Sequence, residues 1–420
     1  MKIILAFDSY KGCLSSSEVS ATVSEAIHKL HPSCQVVSFP LSDGGEGLVE
    51  ALVESTQGKY IECSSYDPLM RPLTSTYGCT GDGRTAIIEM ATCSGLHLLT
   101  NAERNPLHTT TYGTGIQIVH ALSQGYRRFI IGLGGSATCD AGIGMLAALG
   151  YQFYDASGKL IPYPCGKHLS KIHHIDTSCA HTALHMCEII VACDVNNPLH
   201  GEQGAAHIFA PQKGANAQEV KLLDKGLQHI GCLFDAAAQK AISTMPGSGA
   251  AGGMGAALLT YLNATLTSGS RLVLETIRFE EALSDAQLVI TGEGHSDAQT
   301  LMGKLPFGVL NVTKKHRVPV VLMSGSITHR QQLLDAGFQE AIAITPPHQP
   351  LAEAILPDNA RLNLIHDGQK SHTRPTCRAR LPMKSKPDSH SECMWVNAAG
   401  IRWKEHVLIW GGLAGEPFCK

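Results

Sequence analysis

Short apolar runs recur along the chain, and most of them end in glycine, a carboxylate, a hydroxyl or a lysine. Residues 2–6 (KIILA), 35–40, 86–90 (AIIEM), 129–131, 189–193 (IIVAC), 288–291 (LVIT) and 318–324 (VPVVLMS) are continuous rather than alternating. That is the pattern of strands buried on both faces of a parallel sheet. Between them the spacing becomes helical. Val19, Val23, Ala26, Ile27 and Leu30 share one face of a helix expected over 15–30, with Ser15 or Ser16 as its cap. Further helices are expected over 48–56, 116–122, 217–238, 256–262 and 331–336, and a last strand near 340–344. From 60 to 90 the pattern alternates between turns at Asp67-Pro68, Gly78 and Gly81-Asp82-Gly83, which predicts antiparallel strands. The fold class is α/β with a largely parallel sheet.

Open α/β sheets hold their ligands at the carboxyl ends of the strands, so the residues there carry the candidate chemistry. Segment 130–145 (IIGLGGSATCDAGIGM) leaves a strand through Gly132, Gly134 and Gly135, which let backbone N–H groups approach an anion. Ser136, Thr138 and Asp140 follow, and a small-residue helix over 141–150 would aim its positive end at the turn. Gly132, Gly134 and Ala137 equally fit G-x-G-x-x-A, the dinucleotide fingerprint, with Asp155 as its ribose acid. A tight packing turn is the third reading.

The other strand ends are similar in kind. Asp8, Ser9 and Lys11 follow the first strand, where a lysine is a candidate phosphate contact. Asp43 and Glu46 flank two glycines, an arrangement that can share a metal ion or equally cap the helix that follows. Thr109–Thr111 precede a Gly-Thr-Gly, and Asp194 stands at the tip of 189–193 with Asn196 and Asn197 behind it, a position suited to a general base or metal ligand. Gln212-Lys213-Gly214 occupies a loop, and 246–255 is dense in small residues. Glu293, His295, Asp297 and Lys304 follow 288–291; there is no Walker A motif, since Ala298 replaces the first glycine and Leu305 follows the lysine. This recurrence favours one cleft fed by several strand tips.

Composition narrows the field further. A chain of 420 residues accommodates two or three domains. A net charge of −3 without a basic stripe argues against nucleic acid as partner. Fourteen cysteines lack any C-x-x-C pair and no signal peptide is expected, so reduced thiols and a cytoplasmic location are expected. No apolar run approaches the length of a membrane span.

Taken together the motifs resemble the bacterial-type glycerate kinases. The matching stretches are 8–12 (DSYKG), 43–47 (DGGEG), 104–107 (RNPL) with 113–115 (GTG), 134–138 (GGSAT), 192–195 (ACDV) with 197–199 (NPL), 211–215 (PQKGA), 249–253 (GAAGG), and 291–294 (TGEG) with Asp297, Gln299, Gly303 and Lys304. They run in family order over roughly 1–355. The resemblance implies two α/β domains, one Rossmann-like with a parallel sheet, and an active site in the cleft between them. The expected division is 1–85 with 270–355, then 86–269, then an atypical tail over 356–420.

The resemblance further implies ATP-dependent phosphorylation of D-glycerate to 2-phosphoglycerate with Mg²⁺, small-molecule partners, no membrane, and homo-oligomerisation left open. Phosphoryl transfer is mostly positioning and charge neutralisation. Asp194 would take the hydroxyl proton, with Lys11 and Lys304 on phosphate or carboxylate. Asp8, Ser9, Gly134, Gly135, Ser136, Thr138, Asn197, Arg104 and His295 would contact substrate, and Asp43, Glu46, Glu293 or Asp297 would hold the metal.

Departures from the family pattern are Cys139 for Asn, Phe7 for Pro, and His295 for Arg; the last removes a permanent charge. From about residue 363 helical periodicity stops, and all three tryptophans lie beyond it, so the tail is expected to be poorly ordered and to lack a final helix. A binding protein without turnover and a nicotinamide-dependent oxidoreductase are the alternative functions.

Overall fold

A computed structural model describes residues 1–45, 47–366, 379–380, 392–397 and 400–405. Its first sheet has five parallel strands in the order Glu340–Ala343, Val320–Ser324, Leu288–Gly292, Lys2–Phe7 and Gln35–Ser38. Every residue of the Leu288–Gly292 and Val320–Ser324 strands is buried, as their continuous apolar runs require. Alternate residues of Lys2–Phe7 serve two different cores. Ile3, Leu5 and Phe7 pack with Val19, Val23 and Ile27 of the helix Ser16–Leu30, whereas Ile4 and Ala6 face the opposite layer. That helix starts at a capping box in which Ser15 Oγ accepts from the Glu18 N–H and Glu18 accepts from the Ser15 N–H.

The second sheet has six strands, ordered Thr265–Thr267, Glu188–Ala192, Arg128–Gly132, Thr85–Glu89, Pro72–Cys79 and Lys59–Tyr66. The first four are parallel and the last two antiparallel, as the alternating pattern over 60–90 predicts. Sequence alone assigns 59–79 to the same unit as the N-terminal strand. In the structure these strands pair with each other and with Thr85–Glu89, so the chain passes from the first sheet to the second within 39–58, which holds the helix Leu48–Thr56. No composition break marks that crossing, because the helix is apolar toward both sheets.

One hydrophobic cluster joins the two sheets. It contains Ile4, Ala6, Val289 and Leu322 from the first, Ile87, Ile130 and Ala192 from the second, and Leu48, Leu52, Leu272 and Val273 from the helices Leu48–Thr56 and Gly269–Thr276. The carboxyl ends of strands from both sheets meet above this layer.

The helix Pro357–His366 stands at the head of the expected atypical tail. It buries Ala360 and Leu364 against the Ser16–Leu30 helix, with Arg361 bonded to Glu18 Oε1 at 2.6 Å. Backbone strands Glu392–Asn397 and Gly400–Glu405 pair antiparallel. The expectation of poor order falls for the most part on residues outside those described. Among the described residues no helix is long and apolar enough to cross a membrane.

Candidate active site

Where the strand ends converge there is a cavity of about 480 Å³. Its walls carry Lys11, Asp43, Gly44 and Gly45 from the first sheet's loops, and Gly134, Gly135, Ser136, Asp194, Gln212 and Lys213 from the second's. The loops approach closely only because two residues lack side chains. A Cβ at Gly269 would lie 2.0 Å from the Asp43 carbonyl oxygen, and one at Gly44 would lie 2.8 Å from Ala192 Cβ. Gly44 is also at φ +89°, where a side chain is strained in any case.

One pole of the cavity carries Lys11, Asp43 and Asp194, with Asp8 and Glu293 close enough to act on Lys11. Lys11 Nζ donates to Asp43 Oδ2 at 3.0 Å, and the lysine side chain is 61% exposed. Burial opposes the Lys11 charge, but Asp43, Asp8 and Glu293 around it hold its pKa above the ordinary lysine value. Asp8 is buried, and burial, reinforced by the charges of Asp43 and Glu293, pushes its carboxyl well above the carboxylate range. Asp194 follows the Glu188–Ala192 strand and accepts a hydrogen bond from the Gly269 N–H at 3.1 Å. Burial raises its pKa to about 6, against the Ser268 and Gly269 hydrogen bonds and with help from Asp43.

The other pole is the glycine turn. Gly135 takes φ +71°, and its carbonyl accepts from the Leu96 N–H. Sequence reasoning gave Lys213 no role, yet it is 3% exposed and donates to Ser136 Oγ at 2.6 Å and to the Thr138 carbonyl at 2.7 Å. Burial lowers its pKa to about 8, partly countered by Cys139 and Asp140. The signal in the sequence is its place in the stretch 211–215 (PQKGA), which does not reveal burial; the lysine ends a short turn ahead of Gly214 at φ +96°.

Asp140 organises the turn rather than facing the cavity. Its oxygens accept from the Thr111 N–H and hydroxyl, both at 2.8 Å, and from the Gly142 and Gly144 N–H groups. The helix after it covers only Ile143–Ala148, shorter than the expected 141–150. Cys139 is packed in the core, its thiol pushed up to about 12 by burial.

Several expected contacts lie away from the cavity wall. The Thr138 side chain is fully buried, and among the described residues its hydroxyl has no partner. Asn197 donates to the Gln203 carbonyl at 2.8 Å. Arg104 and Ser9 do not line this cavity; the Ser9 N–H bonds Asp8 Oδ1 at 2.7 Å. His295 is 48% exposed, with its ring against Ser326 and Thr328. Asp155 accepts from the N–H groups of Ser157 and Lys159 in its own turn, remote from the glycines that a dinucleotide fingerprint would pair it with.

The expected metal ligands divide in the same way. Asp43 lines the cavity, whereas Glu293 is buried, accepting from the hydroxyls of Ser296 and Thr300 at 3.0 and 2.6 Å and facing Lys304 at 3.5 Å. Asp297 caps the turn Ala298–Met302 by accepting from the Gln299 N–H. Glu46 lies outside the described residues. Among the described residues no three His, Cys, Asp or Glu side chains converge as a metal cage. Asp43 and Asp194 are hard oxygen donors on one wall, which fits Mg²⁺, an ion usually held by one or two carboxylates, water and substrate phosphates.

A sequence model of the glycerate kinase family matches residues 3–370. Glycerate 2-kinase of Escherichia coli K12 is 46% identical over 349 residues, covering 82% of this chain and 91% of that protein. Glycerate kinase of Bacillus subtilis 168 is 44% identical over 356 residues, 84% and 93% of the two chains. A solved crystal structure from Salmonella typhimurium LT2, named as a glycerate kinase 2, superposes with a TM-score of 0.77 at 41% identity, over 87% of this chain and 95% of that one.

Proposed function

The chain belongs to the glycerate kinase family, and from that premise we propose that it transfers the terminal phosphoryl group of ATP to D-glycerate, giving 2-phosphoglycerate. The observation that carries this reading is Asp194, a carboxylate with a pKa raised to about 6 on the wall of a cavity that also holds lysines and a glycine turn. A base poised near neutral pH suits removal of a hydroxyl proton as the oxygen attacks phosphorus.

The Gly269 N–H and the Ser268 side chain hold the Asp194 carboxylate on the cavity wall, where it would take the proton of the substrate hydroxyl. Lys11 and Lys304, both partly exposed and set among carboxylates, offer mobile positive charge to the phosphates. The Gly134–Ser136 turn lines the opposite pole of the cavity, where its backbone would receive an anionic group of the bound substrates. Mg²⁺, when bound, neutralises charge on the phosphates; Asp43 would hold it, while Glu293 and Asp297 keep their oxygens on internal donors. We assign the two sheets to two domains that share the site, and a cytoplasmic setting for the protein with its many free thiols.

The test is ADP release by the purified chain with ATP and Mg²⁺, with and without D-glycerate, and ³¹P NMR of the product. Glycerate-dependent ADP with 2-phosphoglycerate is the expected result. Absence of glycerate dependence overturns the activity, and 3-phosphoglycerate overturns the choice of acceptor hydroxyl.

A further inference from the structure

Lys213 is a buried ammonium on the cavity wall that the roles above leave unused. Among the described residues no carboxylate lies within ion-pair distance of it. The titratable groups nearest it are the Cys139 thiol, which burial keeps protonated, and the Asp140 carboxylate, whose oxygens are already engaged by Thr111, Gly142 and Gly144. A buried cation without a counter-ion is unfavourable unless something brings one. Two of its three N–H donors are committed, one to the Ser136 hydroxyl and one to the Thr138 carbonyl.

The place of Lys213 in the cavity indicates what the missing anion is. Asp194 sits with Asp43 and Lys11 and is held by Gly269, whereas Lys213 is held by Ser136 and Thr138 near Asp140, so the two residues mark separate poles of one cavity. Phosphates carry several negative charges and want several cations; the exposed Lys11, and Asp43, which would hold Mg²⁺, lie at the carboxylate pole. A single buried ammonium neutralises a single negative charge. We infer that Lys213, together with the Ser136 hydroxyl it holds, binds the carboxylate of the acceptor and makes the site select a hydroxy acid over its neutral amide.

This rests on the kinase reading above, and the experiment separates the two. Calorimetry of D-glycerate binding to the full chain needs no turnover, so an inactive wild type that still binds D-glycerate leaves the Lys213 assignment standing. Lys213→Met removes the charge with an apolar chain of similar length, and Ser136→Ala removes the hydroxyl while sparing the ammonium. Expected for Lys213→Met are a D-glycerate KM or Kd raised at least tenfold and an ATP KM within twofold of wild type. Its preference for D-glycerate over D-glyceramide should shrink by at least tenfold, and Ser136→Ala should move the same quantities less. In the wild type, D-glycerate affinity should weaken above about pH 8 while D-glyceramide affinity stays flat. That last arm holds even if the methionine variant does not fold. An unchanged glycerate-to-glyceramide preference, a wild-type D-glycerate affinity flat through pH 9, or a defect confined to ATP each overturns the assignment.

Discussion

Gly269 donates its backbone N–H to Asp194 Oδ1 at 3.1 Å while the Asp43 carbonyl oxygen occupies the space where its side chain would stand. One residue thus sets the spacing between the expected base and the expected metal ligand. Gly269→Ala must displace the Asp43 loop. The expected result is a loss of kcat/KM of about 100-fold, the scale of a misplacement near 1 Å, in a protein that still melts cooperatively. Steady-state kinetics with a thermal melt would check it.

Asp194→Asn keeps the shape and removes the base. Turnover should fall more than about tenfold, within the usual range for general-base catalysis, with the circular dichroism spectrum unchanged. The wild-type rate should decline as pH falls through about 6, and that limb should be absent in the variant. The stability effect has the opposite sign. Burial raises the carboxyl from 3.8 to about 6, so its contribution is fully present below the unfolded value and is lost as pH rises through about 6. Urea titrations should therefore find Asp194→Asn more stable than wild type at pH 8, with the difference fading toward pH 4.

Lys11→Met tests charge against structure. Because the lysine is largely exposed, its pair with Asp43 is worth at most about 1 kcal/mol to stability. The melting temperature should move little, whereas kcat/KM should fall about 100-fold or more if the ammonium meets the phosphates. Equal losses of stability and activity would count against a role in the reaction.

Chelation by EDTA should abolish turnover and Mg²⁺ should restore it. Asp43→Asn should raise the Mg²⁺ concentration needed for half-maximal rate at least tenfold, while Glu293→Gln should leave it within about twofold. Glu293→Ala should instead destabilise the fold by about 1–3 kcal/mol, since it strands the hydroxyls of Ser296 and Thr300. A Mg²⁺ requirement shifted by Glu293→Gln would return that residue to the metal.

Thr138 should tolerate loss of its hydroxyl. Thr138→Val replaces a buried, unpartnered oxygen, and stability should hold or rise by about 1 kcal/mol with the ATP KM unchanged. A raised ATP KM would restore the direct phosphate contact expected from the sequence.

The contrast between Thr138 and Lys213 shows how far the chain could be read unaided. Runs such as 2–6 and 189–193 announce buried parallel strands, because an apolar residue at every position has few other homes. Strand ends then point to Lys11, Asp43, Gly134 and Asp194, all of which reach the cavity. Side-chain direction is less legible: Thr138 is two residues past Ser136 but turns into the core. Lys213 was hidden for the converse reason, since lysines in loops ordinarily face water and only tertiary packing buries this one. Asp140, one of the polar residues after the glycine turn, accepts two hydrogen bonds from Thr111 and one each from the Gly142 and Gly144 N–H groups, tying the turn to the Thr111 loop. The change of sheet within 39–58 left no mark because the Leu48–Thr56 helix contributes to a core common to both sheets.

The N-terminal strand is an interior member of its sheet, bordered by Gln35–Ser38 on one side and by Leu288–Gly292 on the other, with Ile3 opposite Leu288. A ribosome delivers the first of these segments long before the last. The second sheet, whose strands run from 59 to 267, is fully synthesised while the Lys2–Phe7 strand still has an open edge. Contacts this distant in sequence close slowly, and an unpaired apolar edge invites other chains. Vectorial synthesis therefore leaves one edge of the strand made first uncovered until Leu288–Gly292 emerges, and nascent chains stalled short of residue 288 should be the ones that engage chaperones.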